Sequence, residues 1–323
     1  MKKFEQGASL YEDNYWGRVR DSIKLYDFMS LKYSDEELKS MNEEIKEYVK
    51  TGITKRTNEE LWDMYYVVKG NLHPETEKPV TKVFRWSGFV PTNIPIIVGI
   101  SCLPPTPLNQ MFFQSLNQSY NFGLNFCNSS ANNSKSKNEL LISYLAAVSA
   151  SIAGSAGLRQ LITKMNLKGA FGRSMLTMTP FFGLVFASSV NLFFSRSKEL
   201  SDGLPVQDPA TNQPIEDLPS QIAAKSAFME SWLIRILIPI PLFLGPMTAS
   251  RLATKHFKFY QKTIPKLAFD ATVVGLSLWG SLIFVMSGFT NTGYLKLNKL
   301  EPRIQERFKS YPPETTIKFA KGL

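Results

Sequence analysis

A cluster of uncharged amide side chains lies near the middle of the chain, with a spacing that could bind a polar solute. Asn117, Asn121 and Asn125 recur every four residues, so they share one face if this segment is helical. Gln118 lies within the same cluster. Amides offer both donors and acceptors without charge, which suits a zwitterionic or polar solute. A structural ridge of hydrogen bonds between helices explains the pattern equally well.

Arg235 is a second candidate because it falls inside an apolar stretch. An arginine at membrane depth is costly and usually faces a cavity or a partner. It could take the carboxylate of a solute, or it could donate to backbone carbonyls that nearby prolines leave free. Asn93, at the start of another apolar stretch, completes the candidate binding set.

Residues for catalysis or metal binding are scarce. The chain has two cysteines, Cys102 and Cys127, and two histidines, His73 and His256, which are too few for a zinc cluster or a disulfide framework. No nucleotide-binding loop, nucleophile elbow or basic-aromatic nucleic-acid stripe occurs. We therefore expect that the protein is not an enzyme. We also expect that it binds no cofactor, metal ion or nucleic acid.

Five apolar stretches must position these side chains. Each approaches the roughly 20 residues that cross a bilayer's hydrocarbon core. They lie at about 94–114, 140–158, 174–195, 231–250 and 267–289. Buried helices of a soluble protein are the alternative, but such runs would leave too little polar surface to cover the core. The sequence therefore predicts contact with a lipid bilayer.

Prolines interrupt two of these stretches. Pro95, Pro104, Pro105 and Pro107 fall in the first, and Pro239, Pro241 and Pro246 fall in the fourth. Broken backbone at membrane depth is tolerated where it is buried in protein or lines a polar cavity. We expect the binding site between these two stretches.

The first 92 residues have a different composition. They carry 15 Lys+Arg against 16 Asp+Glu, a net charge of −1, whereas the rest carries 22 against 11, a net charge of +11. Capping boxes at Ser34–Glu37 and Thr57–Glu60 predict two amphipathic helices, closing near Gly52 and Gly70. The aromatic residues of the second helix, Trp62 among them, favour packing over an aromatic ligand cage.

These patterns predict an all-α membrane protein with three parts. A polar helical region covers 1–92, a transmembrane domain of five spans covers 93–290, and a basic tail covers 291–323.

Loop charge predicts the orientation. The loops at 159–173 and 251–266 carry four and five basic residues with no acid, and five spans put both on the side of the N-terminus. The positive-inside rule then places the N-terminus on the cytosol-equivalent side, which is the matrix in a mitochondrion. The tail disagrees, because its seven basic residues against three acids lie opposite.

The first 30 residues lack the apolar core of a secretory signal, and Glu5, Glu12 and Asp13 argue against a cleavable mitochondrial presequence. We expect any organelle address to be internal.

Several longer motifs, taken together, resemble the sideroflexin family of mitochondrial inner-membrane proteins, and the resemblance runs the whole length. The shared segments are Trp16-Gly17-Arg18, His73-Pro74-Glu75-Thr76, Phe84 to Asn93, Asn117 to Asn121 with Asn125, Glu199-Leu200, Gly203 to Val206, Ile234-Arg235-Ile236 and Lys321-Gly322-Leu323.

The resemblance implies a carrier that moves serine or a similar small neutral amino acid into the matrix. His73, Pro74, Arg85 and Pro91 then belong to a conformational or structural motif at the membrane entrance. A His-Pro turn favours a fixed hydrogen-bonded corner over a titrating switch. The family's His-Pro-Asp-Thr-Gly-Glu loses its glycine here, where Glu77 stands. A transport-inactive structural subunit of a large inner-membrane complex is the alternative.

Overall fold

The structure is a computed structural model, and it describes residues 3–5, 10–11, 14–73, 75–104, 106–128, 137–165, 169, 172, 175–176 and 178–321. The α-helices are α1 Tyr15–Leu25, α2 Asp35–Thr51, α3 Asn58–Asn71, α4 Phe89–Ser101, α5 Pro107–Asn128, α6 Lys137–Lys164, α7 Thr179–Asp202, α8 Gln221–Leu237, α9 Pro239–His256, α10 Thr263–Met286 and α11 Pro302–Arg307. The strands are β1 Leu204–Gln207, β2 Pro214–Ser220, β3 Thr292–Lys296 and β4 Thr316–Ala320. Short 3-10 helices cover Phe28–Lys32, Lys82–Phe84, Lys258–Gln261 and Leu297–Lys299.

Both predicted capping boxes start helices in the polar N-terminal region. Ser34 and Glu37 cap α2, and Thr57 and Glu60 cap α3, each with side-chain and backbone bonds in both directions. α2 ends at Gly52, whose φ of 70° is the left-handed conformation that glycine adopts without strain. The prediction for Gly70 is wrong, because α3 continues to Asn71.

The aromatic residues of α3 pack in a core of their own, as the sequence favoured. Trp62 is fully buried beside Phe4, Ile45 and Leu61. The Phe4 and Trp62 rings meet edge to face at 4.9 Å. α2 and α3 thus bury their apolar stripes against each other and against the chain that precedes α1.

Three helical segments are long and apolar enough to cross a membrane: Tyr144–Lys164, Gln221–His256 and Thr263–Met286. Phe89–Ser101 and Phe181–Phe194 are shorter apolar helices. The five predicted apolar stretches therefore all contain apolar helix, but only three reach the required length among the described residues. In the fourth stretch α8 and α9 meet at Ile238, whose backbone is itself helical, so the prolines mark a junction and not a gap.

The first predicted span is wrong, because α4 and α5 form an antiparallel hairpin. At its tip Gln110 Nε2 donates to Ile100 O at 3.3 Å, and at its base Asn128 Nδ2 donates to Phe84 O at 3.0 Å. Gly99 allows the close approach, since a Cβ there would lie 2.1 Å from the Phe113 ring. The chain enters the bundle along α4 and returns along α5.

The hairpin changes which ends of the chain lie together. Arg18 Nε donates to Ser287 O at 2.9 Å, so the N-terminal region lies against the C-terminal end of α10. We call this the sheet end of the bundle, and the end formed by 257–262 and the α4–α5 turn the loop end. An odd number of crossings would separate the N-terminal region from the tail, so the predicted count of five spans is not confirmed.

The predicted all-α class and basic tail are also incomplete, since the described residues contain a four-stranded antiparallel sheet. Its order is β2-β1-β4-β3, with Val206 of β1 opposite Phe319 of β4. A small core of Val206, Leu297, Ile304 and Ile317 packs with it.

Glu301 links this sheet to the membrane helices. Its carboxylate accepts from Ser220 Oγ at 2.8 Å and from Ile222 N at 2.9 Å, at the first turn of α8. Burial raises the pKa of Glu301, but these hydrogen bonds outweigh burial and hold it below its usual value. A carboxylate at a helix N-terminus is stabilising, so it ties the tail to α8.

At the loop end, Asp270 is the buried carboxylate of α10. It accepts from Tyr260 Oη at 2.8 Å and from Lys266 Nζ at 2.8 Å. Ser250 of α9 also donates to it, at 3.3 Å. The ion pair and the hydroxyls together hold the α9–α10 turn.

Candidate functional site

Helix α5 carries the candidate site, and its start is fixed locally. Thr106 caps the helix, its Oγ1 accepting from Asn109 N at 3.2 Å and its carbonyl from Gln110 N at 3.0 Å. Pro107 follows at the first helical position, where its missing N–H has no intrahelical partner to lose.

One face of α5 is polar and turned inward. Gln110, Gln114, Asn117, Gln118 and Asn121 recur at three- and four-residue spacing. Gln114, Asn117 and Gln118 are at most 3% exposed, and the other two are half-buried. The predicted amide cluster is therefore a helical face covered by neighbouring helices.

Several polar atoms on α5 lie buried without a hydrogen-bond partner among the described residues. They are Gln110 Oε1, Asn117 Nδ2, Gln118 Nε2 and, in the last turn, Asn128 Oδ1. Leaving one buried polar atom unpaired costs about 1–3 kcal/mol. Such groups are satisfied by water or by a polar ligand.

A cavity of about 130 Å³ opens along this face near the loop end. It lies between the beginning of α5, the end of α6 and the beginning of α7 and is lined by Pro107, Gln110, Met111, Gln114, Ile152, Ala156, Arg159 and Thr179. Among these described lining residues, Arg159 alone carries charge. The volume is well below the roughly 300–1,000 Å³ of pockets for drug-sized ligands, so it fits a small solute.

The structure places the sequence-predicted binding residues differently. Asn93 is buried on α4 and donates to Phe89 O at 2.8 Å. Asn117, Gln118 and Asn121 lie on the inward face of α5. Asn125 is exposed in the last turn of α5, beyond the covered part of the face, and its binding role stays a prediction.

Arg235 lies on α8, outside the residues that line the cavity. It is half-buried, and its nearest charged influence is Arg196 of α7, another cation. Arg196 itself donates to the backbone oxygen of Lys321 and pairs with Glu199. The structure does not bring Arg235 to the amide face.

The residues of the predicted entrance motif make local contacts where they are described. His73 Nδ1 accepts from Glu75 N at 3.2 Å and from Thr76 N at 3.1 Å, which is the expected fixed corner. Pro91 is exposed in the first turn of α4, and Pro74 lies outside the described residues.

Arg85 is fully buried at the same entrance. It donates to Val80 O at 2.6 Å and to Asp35 at the start of α2 at 2.5 Å. Nearby, Tyr26 packs edge to face on Trp86, and burial raises the pKa of Tyr26 to about 12. This region is a fixed joint between the N-terminal helices and α4.

Sequence reasoning missed Gln110, Gln114, Arg159 and Thr179. The two glutamines fell inside the predicted first span, although they continue the spacing of the asparagines by one and two turns towards the N-terminus. That spacing was the available signal. Nothing in the sequence indicated that Arg159 and Thr179 meet this face, because the contact depends on how α6 and α7 pack. Among the described residues, no group of acidic, histidine or cysteine side chains could hold a metal ion.

The family model described as "Sideroflexins" matches residues 8–323. The chain belongs to the sideroflexin family. Sideroflexin-5 of Homo sapiens is 27% identical, with 99% of this chain and 93% of the relative covered. Sideroflexin fsf1 of Schizosaccharomyces pombe is 30% identical, with 96% and 95% covered. Sideroflexin FSF1 of Saccharomyces cerevisiae is 28% identical, with 96% and 94% covered.

The similarity to other sideroflexins therefore includes the N-terminal helices and the sheet as well as the membrane helices. The match and the apolar helices make this a multi-pass membrane protein in contact with lipid. No solved structure matches the chain.

Proposed function

We propose that this sideroflexin transports serine or a similar small neutral amino acid across the mitochondrial inner membrane, along the inward amide face of α5. The observation that carries the proposal is the set of buried, unpaired amide atoms on Asn117 and Gln118, one helical turn along α5 from Gln114, which lines a small cavity. The role is that of a carrier and not of an enzyme.

The chemistry of the face supports an uncharged or zwitterionic solute. Amide groups can exchange hydrogen bonds with a hydroxyl, an ammonium or a carboxylate without fixing a net charge. An acidic solute would gain from Arg159 but would lose hydration along a face of neutral amides. A solute with one carboxylate and one ammonium suits both parts.

Arg159 and Arg235 are alternative partners for the solute carboxylate. Arg159 lines the cavity with Gln110 and Gln114, whereas Arg235 lies apart from it. We therefore assign the carboxylate to Arg159 and propose that Arg235 acts elsewhere in the bundle.

Serine uptake into vesicles tests the proposal. The purified protein, Asn117→Leu and Asn125→Leu would be compared after reconstitution. Asn117→Leu removes the buried unpaired donor at similar volume, and losing one hydrogen bond to the solute lowers uptake about three- to tenfold. Asn125→Leu is the matched control, with the same change on an exposed residue of the same helix, and leaves uptake near wild type.

Size-exclusion profiles would establish that both variants fold. Equal uptake in the two variants would remove Asn117 from the path. The carrier itself would be refuted if the wild-type protein took up no serine and transported no other small neutral amino acid.

A further inference from the structure

Helix α1 lies at the depth where a membrane span ends. Tyr15 Oη donates to Phe284 O at 3.2 Å, and Arg18 Nε donates to Ser287 O. Ser22 Oγ lies 3.2 Å from Ser287 Oγ. Because α10 ends at Met286, these contacts fix α1 at the sheet-end boundary of the hydrocarbon region.

A second face of α1 packs on the N-terminal domain. Asp21 accepts from Tyr66 Oη, and Lys24 pairs with Asp63. Leu25 lies against Gly70. With these two faces occupied, the orientation of α1 relative to α10 is fixed.

A third face remains outward, and it is apolar. Trp16 and Ile23 lie seven residues apart on it and are 63% and 39% exposed. Phe28 and Met29, in the next turn of chain, are 50% and 60% exposed. Single exposed apolar residues are ordinary, but a run of large ones beside the end of a span indicates an interaction surface.

The surface has the composition of a helix that lies in a membrane interface. Tryptophan is enriched at headgroup depth, and basic residues attract anionic headgroups. Arg20 is the exposed basic residue of α1, whereas Arg18 and Lys24 already contact Ser287 and Asp63. The apolar face is also continuous with lipid-facing surface, because Phe284, whose carbonyl binds Tyr15, exposes 49% of its side chain on α10.

We propose that the outward face of α1 and the adjoining 3-10 helix, formed by Trp16, Ile23, Phe28 and Met29, is a lipid-docking surface that lies in the headgroup layer of a bilayer containing anionic phospholipid. The surface anchors α1 against the membrane at the sheet end. This inference needs only the membrane helices and does not depend on the transported solute.

Depth-dependent fluorescence quenching tests the proposal on the full chain. In a background of Cys102→Ser and Cys127→Ser, Ile23→Cys and Met29→Cys would each carry one bimane label. The protein would be reconstituted into phosphatidylcholine vesicles with a minority of phosphatidylglycerol. Nitroxide lipids labelled near the headgroup should quench both sites at least about threefold more strongly than the control site, and iodide on both sides should quench them less.

Ile53→Cys is the matched control. Ile53 is an exposed isoleucine in the α2–α3 connection. The other end of this helix pair contacts the membrane entrance, where Asp35 binds Arg85 and Asn71 binds Ser87. Ile53 therefore lies at the end of the pair that is farther from the membrane. Iodide quenching of Ile23 and Met29 equal to that of Ile53 would show a water-facing surface and overturn the proposal. Protection from both quenchers would show a protein contact, such as a second copy, and would overturn it equally.

Discussion

Glu77 holds a backbone conformation that glutamate rarely adopts. Its φ of 55° is left-handed, and it stands where the family resemblance expects glycine. The turn is retained, since Glu77 N donates to His73 O at 2.9 Å, and an ion pair with Lys46 covers the side chain. The sequence departure therefore changes the strain in this corner and not its shape.

Replacing Glu77 with glycine should stabilise the protein. Relief of left-handed strain raises the free energy of unfolding by about 1–2 kcal/mol. The greater flexibility of glycine in the unfolded chain lowers it again by about 0.5–1 kcal/mol. The exposed Lys46 pair contributes little. We expect Glu77→Gly to raise the melting temperature of the purified protein by a few degrees.

Asn212 provides the comparison for this prediction, because it has the same φ of 55° in the β1–β2 turn. Asparagine tolerates the left-handed region, so Asn212→Gly should give a smaller gain. An unchanged or lower melting temperature for Glu77→Gly would show that the corner is not strained.

The α4–α5 hairpin is the element whose structure the sequence pattern did not predict. Its prolines were interpreted as interruptions of one span, although Pro104 and Pro107 flank a reversal of direction. Hydropathy detects apolar length, but it cannot detect the close contact of Gly99 with Phe113, which is what joins the two helices. The caps at Ser34 and Thr57 were predictable because they are local.

The close contact at Gly99 predicts a mutational effect. Gly99→Ala would place a methyl group 2.1 Å from the Phe113 ring, and overpacking of this kind typically destabilises by about 1–3 kcal/mol. We expect a lower melting temperature, and partial recovery in Gly99→Ala with Phe113→Leu, where the smaller side chain makes room.

Gly157 of α6 is the control, because a Cβ there would meet nothing within 4 Å. Alanine is a better helix former than glycine by about 1 kcal/mol, so Gly157→Ala should be neutral or stabilising. If both substitutions behaved alike, the hairpin would not depend on this contact.

The four-stranded sheet could not be predicted from the sequence either. Val206 and Phe319 lie more than a hundred residues apart, and their pairing depends on α7 and α10 delivering both segments to one end of the bundle. About half of the candidate site could be predicted from the sequence. The spacing of Asn117 and Asn121 predicted a polar face, but Arg159 reaches that face only through tertiary packing.

For the molecule as a whole, the hairpin reverses the orientation that loop charge implies. Arg159 and Lys164 at the end of α6, and Lys258 and Lys262 between α9 and α10, lie at the loop end, opposite the N-terminal region. From the positive-inside rule we propose that the loop end faces the matrix, with the N-terminal helices, the sheet and the tail on the other side.

Cysteine labelling on mitoplasts tests this arrangement. In the cysteine-free background, Ile53→Cys and Lys299→Cys should react with an impermeant maleimide, whereas Lys258→Cys should react only after permeabilisation. All three positions are exposed. Reaction of Ile53 and Lys299 from different sides would contradict the hairpin, and the reverse pattern for all three sites would contradict the orientation alone.

Strand β4 has a consequence for how the protein is assembled. It lies inside the sheet, between β1 and β3, yet it follows every other described element in the chain. Lys321, directly after it, accepts from Arg196 through its backbone oxygen and pairs with Glu230. Contacts between distant segments form late, after the intervening chain is ordered. We therefore expect the membrane helices to be in place before β4 joins the sheet, because β4 pairs with β1, which lies more than a hundred residues earlier.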